Sequence, residues 1–195
     1  MYTVIGNRRS RTLRVLWLLE ELGAPYEHMP AAPQSEAVRA HYPAGKVPVM
    51  LVEGEALTDS TAIMQYLADR HGAFTFPAGT LQRARQDGHT HFLLDEFDAL
   101  LWTAARHSFV LPEDWRLPDV KDSLKWEFET SVERFLGRLG EGPFLMGEQM
   151  TVPDIIAAHC GSWAKAAKFP LENPAFEAYL ARMFARPAYR RALGK

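Results

Sequence analysis

Two residues near the middle of the chain, Asp59 and Ser60, stand directly before the apolar run Ile63, Tyr66 and Leu67. Asp and Ser are helix-capping types, and Ile63, Tyr66 and Leu67 share one helical face, so the pair marks a helix N-terminus. Backbone N–H groups there lack intrahelical partners and can receive a carboxylate. A neighbouring Asp can meet an ammonium. Together the two residues suit an α-amino acid head group, which carries both charges. Ser10 stands before a second apolar-periodic stretch. By its type it reads as a cap, with the Asn7 amide close by in sequence. Further on, Trp102, Arg106 and Phe109 form one stripe with His107 adjacent, a surface suited to a flat or anionic ligand or to an interface. Lys46, taken alone, reads as a solvated loop lysine.

The elements that must hold these residues follow from the pattern. Residues 2–6 read as a strand and residues 7–10 as a polar connection. Residues 12–22 read as a helix stopped by Gly23, apolar most of the way round and therefore buried on more than one side. Residues 26–29 read as a second strand, parallel to the first across the helix. Residues 30–41 are polar and weakly helical, and read as an irregular segment. Residues 47–52 are β-formers with Pro48 at the head of the strand, where proline is tolerated and a cis bond is a candidate. Glu53-Gly54 reads as a turn, Ala56-Leu57 as the returning strand, and a capped helix ends at Gly72.

Near residue 76 the pattern changes to helical periodicity alone. A long helix is expected from about Thr80, with Leu93, Phe97, Leu100, Leu101 and Ala104 inward, broken by Pro112 to Pro118. A second covers residues 120–139. A third is capped by Thr151 with Asp154 returning the bond, and a fourth begins at Asn173-Pro174. Arg186-Pro187 interrupts it, and a short tail follows. The expected division is residues 1–75 as a mixed α/β domain and residues 80–195 as an all-helical domain.

Composition sets bounds. The chain has 195 residues, 47% apolar and 24% charged, as an ordinary globular protein does. A net charge of −2 argues against a nucleic-acid footprint, which needs clustered Lys and Arg on one face. Arg8, Arg9, Arg11 and Arg14 do cluster, either as a solvated face or as the entrance of an anion site. One cysteine, Cys160, precludes an intrachain disulfide and lies in an apolar run, as a buried structural thiol does. No charged-then-apolar leader and no run of about 18 apolar residues is present, so a cytoplasmic protein without a membrane segment is expected. His89 and His91, two apart on a helix, point to different sides; His91 and Asp95 share a face but have no third partner, and no metal is expected.

Gly45-Lys46-Val47-Pro48-Val49, followed by Leu57, Asp59-Ser60, Ala62-Ile63 and Tyr66-Leu67, resembles the glutathione-binding half of the soluble glutathione S-transferases. Residues 16–23 with Pro25-Tyr26-Glu27 are similar to the family's first helix and second strand. Thr151-Val152-Pro153-Asp154 is similar to the capping box of a core helix in its second domain. The resemblance, to the bacterial-type serine class, spans nearly the whole chain. It implies a thioredoxin-like α/β domain followed by an all-α helical bundle.

It also implies roles. Glutathione would be the cosubstrate. Ser10 takes the place of the hydroxyl that faces the glutathione sulfur, with Asn7 as the rival donor. Asp59 would hold the γ-glutamyl ammonium and Ser60 its carboxylate. Val47 would pair with the cysteinyl backbone, beside Pro48, and Lys46 would meet the glycyl carboxylate. Trp102, Arg106 and Phe109 would line the pocket of an electrophilic second substrate. The stretch Asn7-Arg8-Arg9-Ser10 departs from the serine-rich, cysteine-containing form of the maleylacetoacetate isomerase class. The implied function is conjugation of glutathione to an electrophile by a detoxifying homodimer. Alternatives are a glutathione-dependent peroxidase or disulfide reductase, and a non-enzymatic binding module on the same fold.

Overall fold

The computed structural model describes residues 1–195. They form two compact units, one of Met1–Ala78 with Met183–Lys195, the other of Gly79–Arg182. No helix is long and apolar enough to cross a membrane.

The first unit runs β1 (Tyr2–Ile5), α1 (Thr12–Leu22), β2 (Tyr26–Met29), α2 (Glu36–Arg39), β3 (Val49–Val52), β4 (Glu55–Thr58) and α3 (Ser60–His71). This β-α-β-α-β-β-α order is thioredoxin-like, as the resemblance implies. The sheet order is β2-β1-β3-β4, with β1 parallel to β2 and antiparallel to β3, which is antiparallel to β4. The β3–β4 hairpin turns at Glu53 (φ 53°) and Gly54 (φ 86°); two positive φ values match the right-handed twist of the flanking strands.

Every residue of α1 from Thr12 to Leu19 is buried, because its apolar positions leave no solvated face. Arg14 goes under with them, so the arginine run is not a uniformly solvated face. Residues 30–41, read as irregular, contain the single turn α2, which is too short to display a 3.6 period. Its Val38 is fully buried against Ile5 and Val49.

The second unit holds α4 (Leu81–Leu93), α5 (Ala99–Ala105), α6 (Val120–Leu139), α7 (Val152–Ala166) and most of α8 (Pro174–Phe184). The expected long helix from Thr80 is continuous to Val110, but it widens into π-helical turns at Leu94–Asp98 and Arg106–Val110. Such turns insert a residue without breaking the helix, so the apolar period slips by one and sequence periodicity does not reveal them. Phe97, in the first of them, is the hub of the core. Its ring centroid lies 4.9 Å from Phe128, 5.8 Å from Phe135 and 6.0 Å from Phe176.

The capping box of α7 forms as expected. Asp154 accepts from the Thr151 N–H at 2.8 Å, and also from the Leu145 N–H and the Tyr179 hydroxyl. Asn173 caps α8 through Oδ1 to the N–H groups of Ala175 and Phe176.

The final residues differ from the expected tail. Pro187–Ala192 form a helix, α9, which packs on α1 in the first unit. The Tyr189 ring lies 4.7 Å from Trp17, and Arg186 grips Glu21 with two donors at 2.5 and 2.7 Å. Residues 183–195 therefore belong with the α/β sheet and not with the helices that precede them.

Candidate functional site

Strand register gathers the candidate residues of the first unit. Ile5 pairs with Val49, and Val49 pairs with Thr58. The chain leaves Ile5 into residues 6–10, enters Val49 from residues 46–48, and leaves Thr58 into Asp59 and Ser60. All three segments therefore lie at one end of the sheet, within roughly 10 Å across two strand spacings.

Gly6 brings two of the segments into contact. Its φ of 143° suits glycine, and a Cβ there would meet Thr12 Oγ1 at 2.2 Å and the Val47 Cβ at 3.0 Å. Residues 7–10 then form a tight turn. The Ser10 N–H and hydroxyl both donate to the Asn7 carbonyl, at 3.2 and 2.8 Å. The Ser10 hydroxyl also lies 2.8 Å from Thr12 Oγ1 and accepts from the Thr12 N–H at 3.2 Å. Ser10 thus closes the turn ahead of α1. Asn7 Oδ1 accepts from the Arg9 N–H at 3.0 Å.

Val47-Pro48 is cis, the state for which Pro48 was a candidate. Lys46 is exposed beside Gly45, whose carbonyl accepts from the Gln34 N–H at 2.7 Å. Gln34 also donates through Nε2 to the Ala44 carbonyl and bonds Arg39, so this loop is braced from the segment before α2.

At α3, Asp59 is the N-cap. Its Oδ1 accepts from the N–H groups of Thr61 and Ala62 at 2.8 and 3.0 Å, and the Ile63 N–H closes the first turn on the Asp59 carbonyl. The Ser60 N–H is left over from this capping. Asp59 adopts φ 69°, ψ 122°, a sparsely populated region that costs a non-glycine residue about 1–3 kcal/mol. Ser60 is 2% exposed, and its hydroxyl is buried without a hydrogen-bond partner. An orphaned buried hydroxyl is costly, by about 1–3 kcal/mol. It lies beside an unpaired N–H at a helix N-terminus, the chemistry that receives a carboxylate. The residues present therefore fit an amino-acid head group.

Trp102, Arg106 and Phe109 belong to the second unit. Trp102 and Arg106 are half-buried and Phe109 is exposed. Arg106 donates through Nη2 to Thr103 Oγ1, while its Nε–H is buried without a partner. No group of His, Cys, Asp and Glu is arranged to hold a metal ion.

Several residues at the site had no role assigned from the sequence, and of them only Arg8 carried a signal, as part of the arginine cluster. Thr12 touches Ser10. His28, on β2, approaches the Gly6 carbonyl through Nε2 at 2.8 Å. Burial lowers the His28 pKa from its ordinary value; the Gly6 carbonyl offsets part of this, and the Arg8 charge lowers it further. Arg8 bonds the end of α9. All but Thr12 act across the fold, and only strand and helix packing brings them in.

Residues 8–75 match the family model of the glutathione S-transferase N-terminal domain, and residues 99–187 match that of the C-terminal domain. The chain is 30% identical over 138 residues to a putative glutathione S-transferase alpha-2 of Dictyostelium discoideum, covering 71% of this chain and 61% of that protein. It is 27% identical to a maleylacetoacetate isomerase of Rhizobium meliloti, over 76% of this chain and 74% of that one. A crystal structure of a glutathione transferase from Methylococcus capsulatus superimposes with a TM-score of 0.85, covering 100% of this chain and 98% of that one at 24% identity, which speaks to the fold.

Proposed function

The chain belongs to the glutathione S-transferase family, both of whose domain models it matches, and from that premise we propose that it binds glutathione and transfers the thiol to an electrophilic carbon. The observation that carries the reading is Ser60. Its hydroxyl is buried and unpartnered beside the capped terminus of α3, at the sheet end that also bears residues 7–10 and Val47.

On this reading the γ-glutamyl carboxylate accepts from the Ser60 hydroxyl and N–H. Asp59 keeps Oδ1 on its own helix and offers Oδ2 to the ammonium. The backbone of Val47, ahead of Pro48, pairs with the cysteinyl unit as an added strand would. Lys46 meets the glycyl carboxylate. The sulfur then lies toward residues 7–10. A free thiol has a pKa of about 8.5, and lowering it by two units takes roughly 2.7 kcal/mol. A hydrogen bond from the Ser10 hydroxyl, with the field of the α1 N-terminus, supplies stabilisation of that order. Ser10 is not itself the nucleophile. It swings its proton from the Asn7 carbonyl to the thiolate, the stronger acceptor.

Trp102, Arg106 and Phe109 receive the electrophile. The domain roles are residues 1–75, joined by residues 183–195, for glutathione and residues 80–182 for the second substrate. A cytoplasmic homodimer of the bacterial-type serine class, active in detoxification, completes the proposal.

A specific observation favours a second reading. The Asn7 side chain bonds the turn through Oδ1, which leaves its NH₂ as a donor, whereas the Ser10 hydroxyl already donates within the turn. With Asn7 as the donor, reduction of a peroxide or disulfide by the bound thiolate becomes the rival reaction.

Calorimetry with glutathione, followed by a screen of electrophiles, peroxides and disulfides, tests these readings. A thioether product supports the transferase. Oxidised glutathione as the only product supports the reductase. No binding of glutathione leaves the fold as a binding module and removes both.

A further inference from the structure

Arg8 sits in the middle of the turn that carries Asn7 and Ser10. Its Nε donates at 2.8 Å to the carbonyl of Ala192, the last residue of α9. A helix C-terminus leaves its final carbonyls unpaired, and a cation there is favourable. The contact extends beyond one bond: a Cβ added at Gly194 would lie 3.7 Å from the Arg8 guanidinium carbon, so the last residues lie against that group.

The helix that receives Arg8 is itself anchored. Arg191 donates to Glu20 Oε2 at 2.7 Å, and the Tyr26 hydroxyl donates to Glu20 Oε1 at 2.7 Å. Arg186 grips Glu21, which also accepts from the Trp17 indole at 2.9 Å. These bonds tie α9 to α1 and β2. On the other flank of the turn, His28 holds the Gly6 carbonyl. Residues 7–10 are therefore suspended between two fixed points, His28 on the sheet and the end of α9.

We propose that Arg8 and the C-terminal end of α9 form a latch that holds residues 7–10 at the sulfur position, which makes Arg8 a positioning residue for thiolate stabilisation. The inference rests on the glutathione reading. Arg8 acts through Asn7 and Ser10 and does not touch the substrate. Releasing the latch lets the turn swing about Gly6, and the donor then spends less time at the sulfur.

The test compares Arg8→Ala and Arg8→Lys with the parent protein. Amide hydrogen exchange in the ligand-free protein reports the turn, and the pKa of bound glutathione, followed by thiolate absorbance, reports its consequence. Arg8→Ala is expected to speed exchange of residues 7–10 about tenfold while β3 keeps its protection. It should also raise the bound thiol pKa and lower kcat more than it raises KM. Arg8→Lys, whose ammonium can still donate to the Ala192 carbonyl, should recover most of each effect. Unchanged exchange and thiol pKa in Arg8→Ala overturns the latch. So does faster exchange across β1 to β4 alike, which would make Arg8 a general brace, and so does failure of Arg8→Lys to recover function. If the parent protein binds no glutathione, the transferase reading falls, and the exchange measurement alone decides the latch.

Discussion

The Ser10 hydroxyl donates to the Asn7 carbonyl at 2.8 Å. The two candidate thiol donors are thus parts of one turn, joined through the Asn7 backbone and not its side chain. Ser10→Ala removes the hydroxyl and leaves the Asn7 amide. The pKa of bound glutathione is expected to rise by about one unit, or about 1.4 kcal/mol. Asn7→Ala is expected to move it by a few tenths, since the carbonyl that Ser10 uses is backbone. The opposite ranking in thiolate absorbance against pH would make the Asn7 amide the donor.

Ser60→Ala separates binding from stability. The hydroxyl is buried and unsatisfied, so its removal should leave the ligand-free protein as stable as the parent, or more stable by up to about 1 kcal/mol. Glutathione affinity should fall about tenfold. Urea unfolding and calorimetry on the same sample read the two effects. A large loss of stability would mean that the hydroxyl has a structural partner.

At Asp59 the two jobs of one carboxylate can be divided. Asp59→Asn keeps an oxygen for the Thr61 and Ala62 N–H groups but removes the charge, so stability should hold while glutathione binding weakens. Asp59→Ala removes the cap as well and should cost about 1 kcal/mol in addition. Equal stability loss in both variants would contradict the assigned geometry.

Asp154 gives a pH signature. Burial pushes its carboxyl up to about 6, against the pull of its donors, from an ordinary 3.8. The folded protein then holds the proton more tightly than the unfolded chain. This contribution to stability is fully present below about pH 4 and is lost as pH rises through about 6. The stability advantage of the parent over Asp154→Asn should narrow by about 1 kcal/mol between about pH 5 and about pH 7 in urea titrations. A widening gap would mean that the donors at Leu145, Thr151 and Tyr179 keep the carboxylate ionised.

Much of the local structure was legible in the chain because it is specified locally. The span of α1, its stop at Gly23, the Asp59 cap, the Thr151–Asp154 box and the Asn173 cap all depend on residues within a few positions of one another. The turn at Glu53-Gly54 is equally local. The π-helical turns at Leu94–Asp98 and Arg106–Val110 were not legible, because an inserted residue leaves the composition of a helix unchanged. The helical end at Pro187–Ala192 was missed for a different reason. A six-residue helix has little stability alone. It forms because Trp17, Glu20 and Glu21 of α1 receive Tyr189, Arg191 and Arg186.

Caps, turns and apolar patterning are written along the chain, and its resemblance nominated the residues of the site. Strand pairing sets Ile5, Val49 and Thr58 side by side, which brings residues 6–10, 46–48 and 59–60 to one end of the sheet. Packing across the fold left the Ser60 hydroxyl buried without a partner and tied Arg8 to Ala192. The difference is one of range. Capping and periodicity are set by neighbours along the chain, whereas strand register, burial and the bonds of α9 arise between segments that meet only when the apolar faces of α1 and the sheet are buried together.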